Sequence, residues 1–367
     1  MTNPATLVLA DGTTFSGISI GKEGSTVGNV VFNTAMIGYQ ELLTDPASKD
    51  QLIAFSYPHI GNTGINQEDR GSDHVQAAGL IIRDLPLFTS NFRSEEKLES
   101  YLIRHGLVAI AGIDTRRLTR HLRTFGSQAG CIVTGENLDI TAATTKAQAW
   151  QISEVDALTS DHKGYDWSEG KWQLGRGFHQ GISEKPLHVV VMDFGVTKDI
   201  LRHFAESGCH VTVVPRSTMA SEILALHPSG LFLSNGSGDP SAYQTVITEI
   251  ASLIKSEIPL FAVGLGHQLL GIALGGKVTK LPHGHHSVNH PVQEIFSGKV
   301  MMTSQNHHYV LLEESLPETV LVTHHSLIDH SVQGIRLPNQ CVYSFQGYPE
   351  GDAAFLFDQL IDAMWTK

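Results

Sequence analysis

The chain has 367 residues, of which 41% are apolar and 17% charged, and a net charge of −12. That length calls for two domains, each able to bury a core. The acidic balance and the lack of a basic, aromatic-interleaved stretch speak against a nucleic-acid surface. No apolar run approaches membrane-spanning length, and Met1–Ala10 has neither the basic start nor the apolar core of a secretion signal. Three scattered cysteines, Cys131, Cys209 and Cys341, suit a reducing cytoplasm.

In chain order, residues 1–135 read as one mixed α/β domain with no α/β repeat. Strands are expected at Leu7–Ala10, Val27–Asn33, Gln51–Ser56 and Ala77–Arg83. Between them Tyr57–Gly64 is a Pro/Gly-punctuated loop. A capping-box pattern at Ser94 predicts a helix from there through Leu102, and Ile113–Arg123 a second helix with Leu118 and Leu122 on one face. Residues 136–186 change character. Ala142–Ala149 suits a helix, and the polar, Gly-rich Ser160–Lys185 reads as a connection with some strand, its Trp167, Trp172 and Phe178 needing something to pack on.

From 187 to 367 the pattern is a regular alternation. Strands are expected at Leu187–Met192, His210–Pro215, Gly230–Asn235 and Leu260–Val263. Helices are expected at Lys198–Ser207, Ser221–Leu226, Ser241–Lys255 and Gly266–Leu274. Strands separated by such helices imply a parallel sheet covered on both faces, with ligands at the carboxyl ends of its strands. Gly236–Pro240, Gly264–Gln268 and Tyr348–Glu350 fall at such ends. The strand–turn–helix at Leu260–Leu274 has the form of a nucleophile elbow, with small residues flanking a sharp tip. The tip should carry Cys or Ser and carries Gly264.

The motifs then become specific. Leu233-Ser-Asn-Gly-Ser-Gly-Asp-Pro240, Gly264-Leu-Gly-His-Gln-Leu-Leu270, Gly284-His-His-Ser-Val-Asn-His-Pro291, Thr303-Ser-Gln-Asn-His307 and Phe345-Gln-Gly-Tyr-Pro-Glu350 resemble, in order, the class I glutamine amidotransferase domain of carbamoyl-phosphate synthetase small subunits. Val30-Val-Phe-Asn-Thr34, Gly38-Tyr-Gln-Glu41, Leu43-Thr-Asp-Pro46, Tyr57-Pro-His-Ile-Gly-Asn62 and Ile113-Asp-Thr-Arg116 resemble the other half of that subunit. The resemblance covers nearly the whole chain. It implies a flavodoxin-like C-terminal domain and a large subunit as partner, with ATP and metal on that subunit and no cofactor here. Carbamoyl phosphate for arginine or pyrimidine synthesis would be the product of the complex.

In the family a tip cysteine attacks the glutamine amide, a histidine activates it and a glutamate orients the histidine. Carried over, the nucleophile position is Gly264 and the base position Tyr348; only the orienter, Glu350, is kept. A tyrosine with a pKa near 10 is ionised about one part in a thousand at neutral pH. The substrate positions also depart. Ala47 replaces a serine, and His308-Tyr309 replaces Gly-Phe. The loop after Glu350 is shorter than the family's. Gly236, Gly238, Leu265, Gln268 and Asn306 are retained.

The implied reading is a small subunit without glutaminase chemistry, in which glutamine binding is doubtful. Two alternatives stay open: an active subunit with another nucleophile, and a free-standing regulator. The histidines at 283, 285, 286, 290, 307 and 308 invite a metal site, but most belong to the family motifs, and no metal ligands are assigned. Cys341 lies on the wrong strand position for a substitute nucleophile, and Cys131 and Cys209 read as core residues.

Overall fold

The computed structural model describes residues 3–151, 163–180 and 186–366. Calls on 152–162 and 181–185, including both ends of the Ser160–Lys185 connection, lie outside the described residues. The chain divides into two compact units, Met1–Ser153 with Pro282–Ser287, and Glu154–Leu281 with Val288–Lys367.

The first unit is built on a closed barrel. Its elements are β1 (Pro4–Leu9), β2 (Thr14–Ser19), β3 (Ser25–Asn33), α1 (Tyr39–Thr44), β4 (Gln51–Phe55), β5 (Gly79–Ile81), α2 (Leu98–Arg104), β6 (Ala109–Ala111), α3 (Thr115–Phe125), β7 (Gln128–Thr134) and α4 (Ile140–Ala149). The barrel order is β1-β2-β6-β5-β4-β3-β7, closed by β7 pairing with β1. The β3–β4, β4–β5 and β5–β6 pairs are parallel.

Alternation assigns the side chains. Val30, Leu52 and Ala54 join one core with Leu118 and Leu122 of α3. Their neighbours Val31, Ile53 and Phe55 join another with α1 and α2. Asp114 caps α3 by accepting from the Arg117 amide at 2.8 Å.

The helix expected from Ser94 begins instead at Leu98. The Glu95 and Glu96 amides donate to the Ile65 carbonyl (2.8 and 3.1 Å), which keeps that stretch extended. The expected strand at Ala77–Arg83 shortens to three residues, because only 79–81 pair with β4, and of these only Leu80 and Ile81 also pair with β6.

The second unit holds a ten-stranded sheet. Its elements are β8 (Tyr165–Trp167), β9 (Glu169–Gln173), β10 (Gly177–Gln180), β11 (His188–Phe194), α5 (Lys198–Glu206), β12 (His210–Pro215), α6 (Ala220–Ala225), β13 (Gly230–Gly236), α7 (Gln244–Ile254), β14 (Leu260–Val263), α8 (Leu265–Ala273), β15 (Lys277–Glu294), β16 (Val300–Leu312), β17 (Leu321–Ser326), β18 (Val332–Leu337), β19 (Val342–Phe345) and α9 (Phe355–Trp365). Within β15, residues 282–287 belong to the first unit.

The order is β16-β15-β17-β18-β19-β14-β13-β11-β12-β8. Its parallel part, β12-β11-β13-β14-β19, is the flavodoxin-like order 2-1-3-4-5. The expectation of a parallel sheet thus holds for five strands. The β17–β18 and β18–β19 ladders on one side, and β8 on β12 on the other, are antiparallel.

The two sheet faces bury separate cores. One contains Phe204, Phe232, Phe261 and Phe357 under α5 and α9; the other contains Leu231, Leu233, Ile250 and Leu269 under α7 and α8. Trp167 packs on the first of these, Trp172 pairs across from Phe178 in the β9–β10 hairpin, and the Arg202 guanidinium lies over the Phe178 ring at 3.9 Å. The expected helix at Ser241–Lys255 starts later, at Gln244. Asp239 caps a short 3-10 turn over Pro240–Ala242 instead. Among the described residues, no helix is long and apolar enough to cross a membrane.

Candidate active site

The carboxyl ends of β13, β14 and β19 converge at one place in the second unit. The fully buried β14 delivers Gly264, whose amide donates to the Phe345 carbonyl at 3.1 Å. Gly264 has φ 58° and ψ −114°, a conformation costly for any residue with a Cβ. Its carbonyl accepts from the Gln268 amide at 3.2 Å, so α8 begins at once.

Gly266 must be glycine for another reason. A Cβ there would collide with the Leu233 carbonyl, 2.7 Å from its carbon and closer to its oxygen. The elbow backbone is therefore complete, with no side chain at its tip.

A Cβ at Gly264 would lie 3.2 Å from the Asn235 Cβ. Asn235 is buried near the end of β13, and its Nδ2 donates to the Tyr348 hydroxyl at 3.2 Å. Its Oδ1 is buried without a hydrogen-bond partner. Tyr348 is held by its amide on the Ser304 carbonyl (2.9 Å) and accepts from the Glu350 amide (2.9 Å). Gly264 and Tyr348 thus both lie against one asparagine. Glu350 is exposed, and its carbonyl accepts the Ala353 amide in the short turn that follows.

Around the elbow, Gln268, Tyr309 and Tyr243 form a hydrogen-bonded frame. The Gln268 Nε2 donates to the Tyr309 carbonyl (2.8 Å) and to Gln346 Oε1 (3.1 Å). The Tyr309 hydroxyl donates to Asp239 Oδ2 at 3.1 Å, and burial together with that carboxylate pushes it up to about 12. The Tyr243 hydroxyl donates to the Ser237 carbonyl at 3.0 Å, holding the loop that runs from Gly236 through Gly238. Leu265 is buried in the first turn of α8. Asn306 and His308 are half-buried on β16. Ala47 belongs to the first unit. It is buried in a 3-10 turn, with its amide on Asp45 Oδ1 at 2.9 Å.

Asn235, Asp239 and Gln346 escaped the reading of the sequence as site residues. For Asn235 the available signal was its place before a glycine at a predicted strand end.

The histidines are dispersed. His290 Nε2 lies 2.9 Å from Ser326 Oγ, His307 bridges Gln305 Oε1 (2.9 Å) and the Tyr309 carbonyl (3.0 Å), and the His283 ring lies beside Phe32. Among the described residues, no three His, Cys, Asp or Glu side chains are grouped to hold a metal ion. Cys131 and Cys209 are buried, and burial pushes the Cys209 thiol up to about 11. Cys341 is half-buried, and its carbonyl accepts the Leu260 amide at the far end of β14 from Gly264.

Residues 7–132 match the family described as carbamoyl-phosphate synthase small chain, CPSase domain. Residues 190–362 match glutamine amidotransferase class-I. The carbamoyl phosphate synthase small chain of Pasteurella multocida is 53% identical, covering 99% of this chain and 96% of its own length. Those of Haemophilus ducreyi and Acinetobacter baylyi are each 51% identical, covering 99% of this chain and 99% and 98% of their own lengths. The chain belongs to the carbamoyl-phosphate synthase small-chain family, with a class I glutamine amidotransferase domain as its C-terminal part.

Proposed function

We propose that this chain is a small subunit that has lost glutaminase chemistry and serves its complex by binding the large subunit and holding it in a state that uses free ammonia. The observation that supports this reading is the convergence at Asn235. Thiol attack on an amide needs a nucleophile at the elbow and a base that takes its proton. Gly264 supplies no side-chain atom, and the hydroxyl at the base position is engaged by Asn235 Nδ2. Position 348, two residues before Glu350, carries a phenol where the family's base is an imidazole.

The elbow backbone, the loop after β13 and the barrel are intact around this gap. A fold kept whole while one centre is emptied is consistent with selection on the complex rather than on glutamine hydrolysis. ATP and metal belong to the large subunit in this reading, and the site of action is the cytoplasm. The carbamoyl phosphate made would feed arginine or pyrimidine synthesis.

The test is glutamate release from glutamine by the purified chain, alone and with the large subunit, beside ammonia-driven carbamoyl phosphate formation. The expected result is no glutamate above background, and more ammonia-driven product when the chain is present. Glutamate release matching carbamoyl phosphate formation would overturn the proposal.

A further inference from the structure

The first unit contains a cavity of 640 Å³, lined by α1, the 65–73 segment, the stretch before α2 and the end of α2. Its volume is that of a small-molecule site, but such sites are mostly apolar, and this one is walled by charge. Gln40 of α1 fixes the floor. Its Nε2 donates to the Asn66 carbonyl at 2.5 Å, and its Oε1 accepts from the Asn66 amide at 3.1 Å. Arg104 is engaged by Glu96, with Nη2 on Oε2 at 2.6 Å and Nε on Oε1 at 3.3 Å.

Arg70 and Glu95 line the same cavity, and among the described residues neither side chain makes an ion pair or a hydrogen bond. One cation and one anion are thus left uncommitted on its wall. Tyr101 supplies a third group. It is 5% exposed, and its hydroxyl makes no hydrogen bond among the described residues. A buried hydroxyl ordinarily has a partner. Burial pushes this phenol up, against the pull of Arg104 and Arg70, so it stays protonated and donates. The His105 ring lies 4.3 Å from the Tyr101 ring, and burial, with Arg104, His74 and Arg70, pushes that imidazole down, so it adds no charge at neutral pH.

We infer that this cavity binds a small zwitterion of the α-amino-acid class, its carboxylate on Arg70 and Tyr101 and its ammonium on Glu95. A guanidinium fork matches a carboxylate, and the Tyr101 hydroxyl adds a neutral donor to it. An ionised carboxylate only accepts, which suits an ammonium. A lone anion would be opposed by Glu95 and by Asp73 on the same wall; a lone organic cation would be opposed by Arg70. A metal ion does not fit, because among the described residues no three His, Cys, Asp or Glu side chains are grouped to hold one.

The experiment is calorimetric titration of the full chain with the common L-amino acids other than glutamine, each added singly. Glutamine is left out because the elbow belongs to a glutamine amidotransferase domain. At least one amino acid should bind. Its N-acetyl and carboxamide derivatives, each lacking one charge, should bind roughly ten-fold more weakly or worse. Arg70→Gln, Glu95→Gln and Tyr101→Phe should each weaken binding of the parent amino acid with the melting temperature unchanged. Glu99→Gln, on the exposed side of α2, should bind as the wild type does. If no amino acid binds, the inference is overturned. It is overturned equally if binding survives Arg70→Gln and Glu95→Gln intact, since the ligand then sits elsewhere. An N-acetyl derivative that binds as tightly as its parent would show a site for a carboxylate alone and refute the zwitterion.

Discussion

Restoring a side chain at the elbow should make the protein less stable. In Gly264→Cys the new Cβ must adopt φ 58° and ψ −114° and sits 3.2 and 3.4 Å from the Asn235 Cβ and Cα. A non-glycine residue in such a region costs about 1–3 kcal/mol. Replacing glycine also removes freedom from the unfolded chain, which returns about 0.4–1 kcal/mol. The net loss should be roughly 1–2 kcal/mol, and a domain of this size moves about 2–4 °C per kcal/mol. Calorimetry on the variant should therefore show a melting temperature lower by about 2–8 °C. An unchanged or raised melting temperature would mean that the elbow relaxes freely, and the strain argument would fail. Under the proposed reading, adding Tyr348→His supplies a thiol and an imidazole together, yet His308 and Tyr309 remain. Glutamine turnover in the double variant should stay below that of an intact subunit. Full turnover would refute the claim that the binding pocket has changed as well.

The elbow was legible because its signal is local. A short apolar run, small residues at 264 and 266 and an apolar helix fix strand, turn and helix within about 15 residues. The flavodoxin-like part was legible for the same reason, each strand being followed by a helix of readable period. The barrel was not. Its closure depends on β7 pairing with β1 from more than 120 residues away, and no local pattern carries a pairing that distant. The false start at Ser94 has a related cause: the Ile65 carbonyl outbid the cap for the Glu95 and Glu96 amides. In the candidate site, that positions 264 and 348 carry Gly and Tyr could be read from the sequence directly. Their meeting at Asn235 could not, because it joins the ends of β13, β14 and the segment after β19.

Three further outcomes are expected. Gly266→Ala should destabilise more than Gly264→Cys, because its Cβ would lie 2.7 Å from the Leu233 carbonyl carbon, against 3.2 Å from the Asn235 Cβ at Gly264; thermal melts of the pair compare them, and equal melting temperatures would refute the close approach of α8 to β13. Tyr348→Phe removes the hydroxyl that accepts from Asn235 Nδ2, which should cost about 1–2 kcal/mol in urea unfolding; no loss would mean that water already satisfies the amide. The last expectation concerns acid. Burial, with His324 nearby, pushes His267 down to about 3. Burial likewise lowers His324, among Glu294 and His325, to about 4, and His203, near Lys171, to about 4. Their ordinary value is 6.5, so below it the unfolded chain takes up protons that the folded chain refuses. Stability is full above pH 6.5 and falls as the pH drops toward 4, by up to roughly 1.4 kcal/mol per pH unit for each histidine. His324→Gln removes one of the three, so its urea midpoint should fall less steeply between pH 7 and pH 5 than that of the wild type. Parallel slopes in that window would mean that His324 titrates normally in the folded chain.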